Sequence, residues 1–144
     1  MTGFRTLRHG VVAAFREQLS GSLVLPTDAG YDKARRVWNG RIDRRPTLVA
    51  FCTNDGDIMA AVRFAREHEL LVAVRCGGHS AAGTAVCDDG LVIDLSLMRS
   101  IEVDVATRTA NAQGGALWRD LDRTHKNSVW RYLGVRILKL ALPD

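Results

Sequence analysis

The sequence predicts an α/β (α+β) domain, and three observations carry that reading. Two short apolar, β-rich runs, residues 47–52 (TLVAFC) and 70–75 (LLVAVR), lie about one helix apart. Between them Ile58, Ala61, Val62 and Ala65 repeat at helical spacing as far as His68. A run of almost entirely small residues, 76–84 (CGGHSAAGT), follows the second strand directly. Strand, helix, strand at this spacing is a βαβ unit with parallel strands and a right-handed crossover, and both strands read as buried.

The elements follow in chain order. Leu7, Val11, Phe15 and Leu19 form an i, i+4 series, so residues 5–19 are predicted as an amphipathic helix that Gly21 and Pro26 terminate. Residues 28–38 are a short polar helix or irregular arm, with Tyr31, Ala34 and Trp38 on one side. Asn39-Gly40 is a turn, and Pro46 opens the first strand. Residues 53–57 (TNDGD) supply an N-cap and an acidic first turn for the helix that follows. Beyond the small-residue loop, residues 91–95, 101–105 and 109–113 are strand-like runs separated by tight polar turns. Gly114-Gly115 leads into a helix over 116–125, with Leu117 and Leu121 one turn apart. There are no internal repeats or low-complexity tracts.

With 47% apolar and 25% charged residues, the 144-residue chain has the balance of a globular domain able to build a core. No apolar run approaches the roughly 18 residues of a membrane span. Arg5, Arg8 and Arg16 interrupt the N-terminus, so no signal peptide is expected. Cys52, Cys76 and Cys87 are scattered, which argues against a disulfide framework and for a reduced, cytoplasmic setting. Lys126, Arg131, Arg136 and Lys139 against Asp144 account for most of the net charge of +4. The nearly neutral body gives no electrostatic footprint for nucleic acid, and a membrane partner is not expected.

The glycine-rich loop is the candidate site. Glycines at the carboxyl end of a parallel strand let the backbone turn sharply, and successive N–H groups can form a nest for phosphate oxygens. Neither the P-loop pattern nor the G-x-G-x-x-G spacing is present, and residues 78–83 are one residue too long for a nucleophile elbow. An ordinary glycine turn therefore competes with a phosphate loop. His79 has four readings: a hydrogen-bonded loop histidine, a metal half-site with Cys76 and Cys87, a triad with Ser80 and Asp94, or a point of covalent cofactor attachment. Cys87 reads otherwise as a small buried hydrophobe, Asp94 as the organiser of a strand end, and Trp118 as core.

Several segments stand in the order and spacing of a known family. They are Pro46-Thr47-Leu48-Val49, Asp57-Ile58, Ala61-Val62, and Phe64-Ala65-Arg66-Glu67. The most specific is Val74-Arg75-Cys76-Gly77-Gly78-His79-Ser80 with Gly83 and Val86-Cys87-Asp88. Residues 92–99 (VIDLSLMR), Val103-Asp104 and 112–118 (AQGGALW) complete the set. Together residues 45–125 resemble the first part of the flavin-binding domain in covalent flavin oxidases. This is the PCMH-type family that includes the berberine-bridge-enzyme-like oxidoreductases. Tyr31-Asp32 and Trp38-Asn39-Gly40 are similar to the arm that precedes that domain.

The resemblance implies a PCMH-type FAD-binding fold, represented by its first subdomain: the βαβ unit and part of a mixed sheet, incomplete. It implies FAD as cofactor. Arg75, Cys76, Gly77, Gly78, His79 and Ser80 would form the pyrophosphate-cradling loop, with Gly83 closing it and His79 bonded to the flavin 8α-methyl. The implied activity is oxidation of small alcohols, amines or sugars by hydride transfer, with a small-molecule substrate held only by a complete enzyme. No residue present is a candidate catalytic base, so the isolated chain is expected to be inactive.

The expected organisation is an N-terminal helix and arm (1–43), the N-terminal portion of the FAD-binding domain (44–125) and a divergent basic tail (126–144). In the tail Trp130, Leu133, Ile137 and Leu140 fall near one helical face. There the resemblance ends, as a truncated or frame-shifted coding region would make it. The alternative is a non-catalytic remnant that acts as a ligand-binding or protein-interaction module.

Overall fold

The computed structural model describes residues 7–104, 106–107, 109–117 and 119–120. The chain forms two compact units that meet in sequence between Leu97 and Met98. In the first, α1 (His9–Gln18), β1 (Ser22–Val24), α2 (Tyr31–Arg35), β2 (Leu48–Phe51), α3 (Asp55–Glu67), β3 (Val72–Arg75) and β4 (Leu91–Asp94) follow one another. The second contains β5 (Ile101–Asp104) paired antiparallel with β6 (Thr109–Ala112). The mixed α/β architecture is the one expected. Of the helix expected over 116–125, residues 119 and 120 are helical, residues 116 and 117 are not, and residues 118 and 121–125 lie outside the described residues, as does the tail.

The four-stranded sheet has the order β1-β2-β4-β3. β2 and β3 are parallel, as expected for the βαβ unit, but they are not neighbours: β4 pairs in parallel with both. The reason lies in the side chains. All four residues of β4 (LVID) are buried, so it takes the centre, where both faces are covered. β3 is an edge strand with alternating burial, which corrects its reading as a buried strand. Val72 and Val74 point outward, 39% and 54% exposed, while Ala73 and Arg75 point inward. β1 was not foreseen. Its three residues pair antiparallel with β2, Leu23 opposite Ala50, in the stretch between Gly21 and Pro26, whose sequence signals only the end of a helix.

Strand alternation divides the core between two faces. Val49, Ala73 and Val92 pack with Ala34 of α2 and with Val86 and Cys87. Leu48, Ala50, Leu91 and Ile93 project to the other face, where α3 lies against β4. Phe15 of α1 stacks on Phe64 of α3 with ring centroids 4.1 Å apart, which joins the two helices. The expected cap of α3 is present: the Asn54 side chain accepts from the Asp57 N–H at 3.0 Å.

Asp57 itself is turned inward. Its carboxylate accepts from the N–H groups of Ser20 (2.8 Å), Gly21 (3.1 Å) and Thr53 (2.8 Å) and from the Thr53 hydroxyl (2.9 Å). One side chain thereby ties the α1–β1 turn to the start of α3. Burial acts to raise its pKa, but the combined hydrogen bonds outweigh burial and hold the carboxyl below its ordinary range.

Candidate functional site

The carboxyl ends of β2, β3 and β4 lie together, with Phe51 and Arg75 both in register with Asp94. The glycine loop leaves the sheet from Arg75. Gly78 has φ +69°, a left-handed turn that a side chain would strain. Gly83 closes the loop at φ +73°, and a Cβ there would come within 2.7 Å of the Ile42 side chain, so the arm clamps the loop's far end. Ser80 completes that closure: its carbonyl accepts from the Gly83 N–H, and its hydroxyl shares a 2.8 Å hydrogen bond with the Thr84 hydroxyl.

In the first half of the loop Cys76, Gly77 and His79 are exposed, while Gly78 is buried. Among the described residues, the N–H groups of Gly77, Gly78, His79 and Ser80 donate to no acceptor. A Cβ on Gly77 would stand 2.7 Å from Cδ2 of His79 and 3.3 Å from its Nε2. The bare glycine backbone therefore leaves the space that the imidazole occupies. Free amides on a glycine turn beside an exposed imidazole fit the pyrophosphate and ring of a dinucleotide such as FAD. These residues could hold it.

Arg75 behaves differently from the rest of the expected set. Its side chain is folded inward, 6% exposed as a residue, and Nε donates to Oδ2 of Asp94 at 2.6 Å. Nη2 donates to the Ala34 carbonyl at 2.5 Å and Nη1 to the Arg36 carbonyl at 3.1 Å. These carbonyls lie at the C-terminal end of α2, where a helix lacks internal donors. The guanidinium thus braces the arm against the sheet, and a phosphate would meet the loop's backbone amides instead.

The same bonds remove two readings of His79. Asp94 is committed to Arg75 and accepts from the Ser96 N–H, while the Ser80 hydroxyl is paired with Thr84, so a triad is not assembled. Cys87 lies at the other end of β4, its thiol directed at the Leu71 and Leu91 carbonyls, which separates it from His79. No group of three His, Cys, Asp or Glu side chains able to hold a metal occurs among the described residues. Burial, and next the charge of Asp94, push the Cys76 thiol pKa up, so it is not an activated nucleophile.

The sequence puts Trp38 with Tyr31 and Ala34 on one side of the arm, and the structure corrects this. Tyr31 and Ala34 are buried, whereas Trp38 is 75% exposed. The helix ends at Arg35, and Arg36 is extended (φ −63°, ψ 139°), so the helical face stops before Trp38. Its N–H donates to the Gly78 carbonyl at 3.1 Å, and its ring lies 6.1 Å from that of His79, tilted by 43°. Reading 28–38 as a short helix or irregular arm does not reveal this neighbour; the sequence signals near it are the Asn39-Gly40 turn and the likeness of Trp38-Asn39-Gly40 to the family's arm.

A glycine loop at the carboxyl edge of parallel strands is where α/β folds place nucleotide cofactors. The family model for the FAD binding domain matches residues 46–133. The chain is 41% identical over 103 residues to (R)-6-hydroxynicotine oxidase of Paenarthrobacter nicotinovorans, covering 72% of this chain and 22% of that protein. It is 33% identical over 117 residues to an uncharacterised FAD-linked oxidoreductase of Bacillus subtilis, covering 81% and 25%. In three dimensions it is similar to 6-hydroxy-D-nicotine oxidase from Arthrobacter nicotinovorans, with TM-score 0.73 and 36% identity over 84% of this chain and 25% of that one. A carbohydrate oxidase from Microdochium nivale shares the fold at TM-score 0.73 and 24% identity, over 85% and 26%. The chain belongs to the FAD-binding-domain family of FAD-linked oxidoreductases, the PCMH-type group to which its motifs pointed. It spans about a quarter of the length of these relatives.

Proposed function

We propose that the loop from Cys76 to Ser80 holds the pyrophosphate of FAD and that His79 is the residue covalently linked to the flavin, as part of an oxidoreductase acting on small alcohols, amines or sugars. The observation that carries this reading is the exposed imidazole of His79 resting on Gly77 beside amides with no partner among the described residues. Bound FAD would supply the hydride acceptor.

The chain's own contribution is positioning. Backbone N–H groups meet anionic oxygens without a side chain having to be ordered, and the Gly77 backbone leaves the imidazole room to lie flat on the loop. Arg75 acts one step away: by fixing the Ala34 and Arg36 carbonyls it holds the arm whose Trp38 N–H bonds to Gly78. Gly83 belongs to the closure of the loop. The free thiols of Cys52, Cys76 and Cys87 support a reducing, cytoplasmic setting. Among the described residues no helix is long and apolar enough to cross a membrane.

The test is to express the chain with FAD, denature it in acid and measure flavin absorbance retained on the protein. Retained flavin that His79→Ala abolishes supports the attachment. Flavin retained equally by the His79→Ala variant would refute it.

A further inference from the structure

We propose that Trp38 is a contact residue for the aromatic ring system of the flavin at His79, an assignment that rests on the FAD reading above. An indole can bury about 150–250 Å² of surface and is ordinarily covered by something. At 75% exposed, Trp38 is the most exposed of the chain's described large apolar side chains. Its backbone is nevertheless pinned. The Trp38 N–H is held by Gly78, the Arg36 carbonyl two residues earlier is held by the buried Arg75, and the Asn39 carbonyl that follows accepts from the Ile42 N–H at 3.0 Å. An exposed aromatic on a fixed backbone is preorganised for a ligand, since little conformational freedom remains to be lost on binding.

Its position selects the kind of ligand. The indole centroid is 6.1 Å from that of His79, so a planar group bonded to or resting on the imidazole lies within reach of the indole face. Indole carries no charge, and its only polar group is one N–H donor, so it offers phosphate little. An electron-rich indole face suits a flat, electron-poor ring, which among the parts of FAD is the isoalloxazine. The loop and the arm therefore divide the cofactor: amides of residues 77–80 for the pyrophosphate, Trp38 for the ring.

The experiment is isothermal titration of the 144-residue chain with FAD and, separately, with ADP, which keeps the pyrophosphate and lacks the flavin ring. Trp38→Ala is expected to weaken FAD about tenfold, the scale of one lost aromatic contact, while ADP affinity stays within about twofold. Trp38→Phe, which keeps a π face, is expected to stay within about threefold of the unsubstituted chain for FAD. The proposal is overturned if Trp38→Ala leaves FAD affinity within about twofold, or weakens FAD and ADP alike, or if the unsubstituted chain shows no saturable FAD binding up to about 1 mM. Acid-stable flavin on His79→Ala is read separately. It would refute the covalent tether and leave the comparison of FAD with ADP to decide on Trp38.

Discussion

Replacing Arg75 with alanine should be among the most damaging single changes in the first unit, and for reasons of electrostatics more than of volume. The substitution strands Asp94, which is 2% exposed and keeps, among the described residues, only the Ser96 N–H as a partner for its carboxylate. Removing one member of a buried pair typically costs about 3–5 kcal/mol, because the remaining charge is left desolvated. The Ala34 and Arg36 carbonyls also lose a charged donor, worth roughly another 1 kcal/mol where water cannot replace it. A loss of about 4–6 kcal/mol is comparable to the whole stability of a marginal domain.

Urea denaturation followed by circular dichroism reads this directly. With a slope of about 2 kcal/mol/M, the midpoint should fall by about 2–3 M, or the variant should be unfolded without denaturant. Arg75→Lys should be intermediate, since one ammonium cannot serve a carboxylate and two separate carbonyls as a planar fork does. Arg75→Met combined with Asp94→Leu should cost less than Arg75→Ala, because no buried charge remains. An Arg75→Ala variant within about 1 kcal/mol of the unsubstituted chain would refute the reasoning, as would a double variant less stable than the single one.

Three further outcomes are expected. Asp57→Asn should destabilise the chain by about 2–3 kcal/mol at neutral pH, since the amide cannot accept from all the donors that converge there. The carboxyl's folded pKa is depressed from 3.8, so its contribution is present above that value and lost as pH falls through the folded pKa. The gap between variant and unsubstituted chain should therefore close in strong acid, and a gap constant down to about pH 2 would contradict the assignment. Gly77→Ala should leave stability within about 1 kcal/mol yet reduce acid-stable flavin, because the new methyl would displace the His79 ring. Gly78→Ala should cost about 1–2 kcal/mol of stability through its left-handed backbone. Equal behaviour of the two in urea and in flavin retention would count against this division of roles. A thiol reagent should label Cys76 alone in the folded chain and all three cysteines after denaturation. Cys52 should resist longest, as burial, then the charges of Asp57 and Asp94, push its pKa up to about 12.

The sequence by itself determined what depends on neighbouring residues along the chain. The period of the apolar residues in 58–65 made α3, Asn54 capped it, and the β-rich runs made β2, β3 and β4. The motif around Gly77, Gly78 and His79, with the segments flanking it, points to a flavin-binding family. Only the tertiary structure decided how these pieces meet. Whether β3 sits at the centre or the edge depends on β4, whose four buried residues compete for the middle, and no periodicity within 70–75 records that competition. By resemblance Arg75 opens the pyrophosphate-cradling loop, because its neighbours in sequence are the loop. Its real partners, Asp94, Ala34 and Arg36, are 19 to 41 residues away. The sequence puts Trp38 on one side of a short helix or irregular arm with Tyr31 and Ala34, but the chain turns extended at Arg36 and carries its ring beside His79. Local patterns report propensity and covalent proximity, whereas a buried charge or an exposed indole takes its meaning from distant groups that the fold brings within a few ångströms.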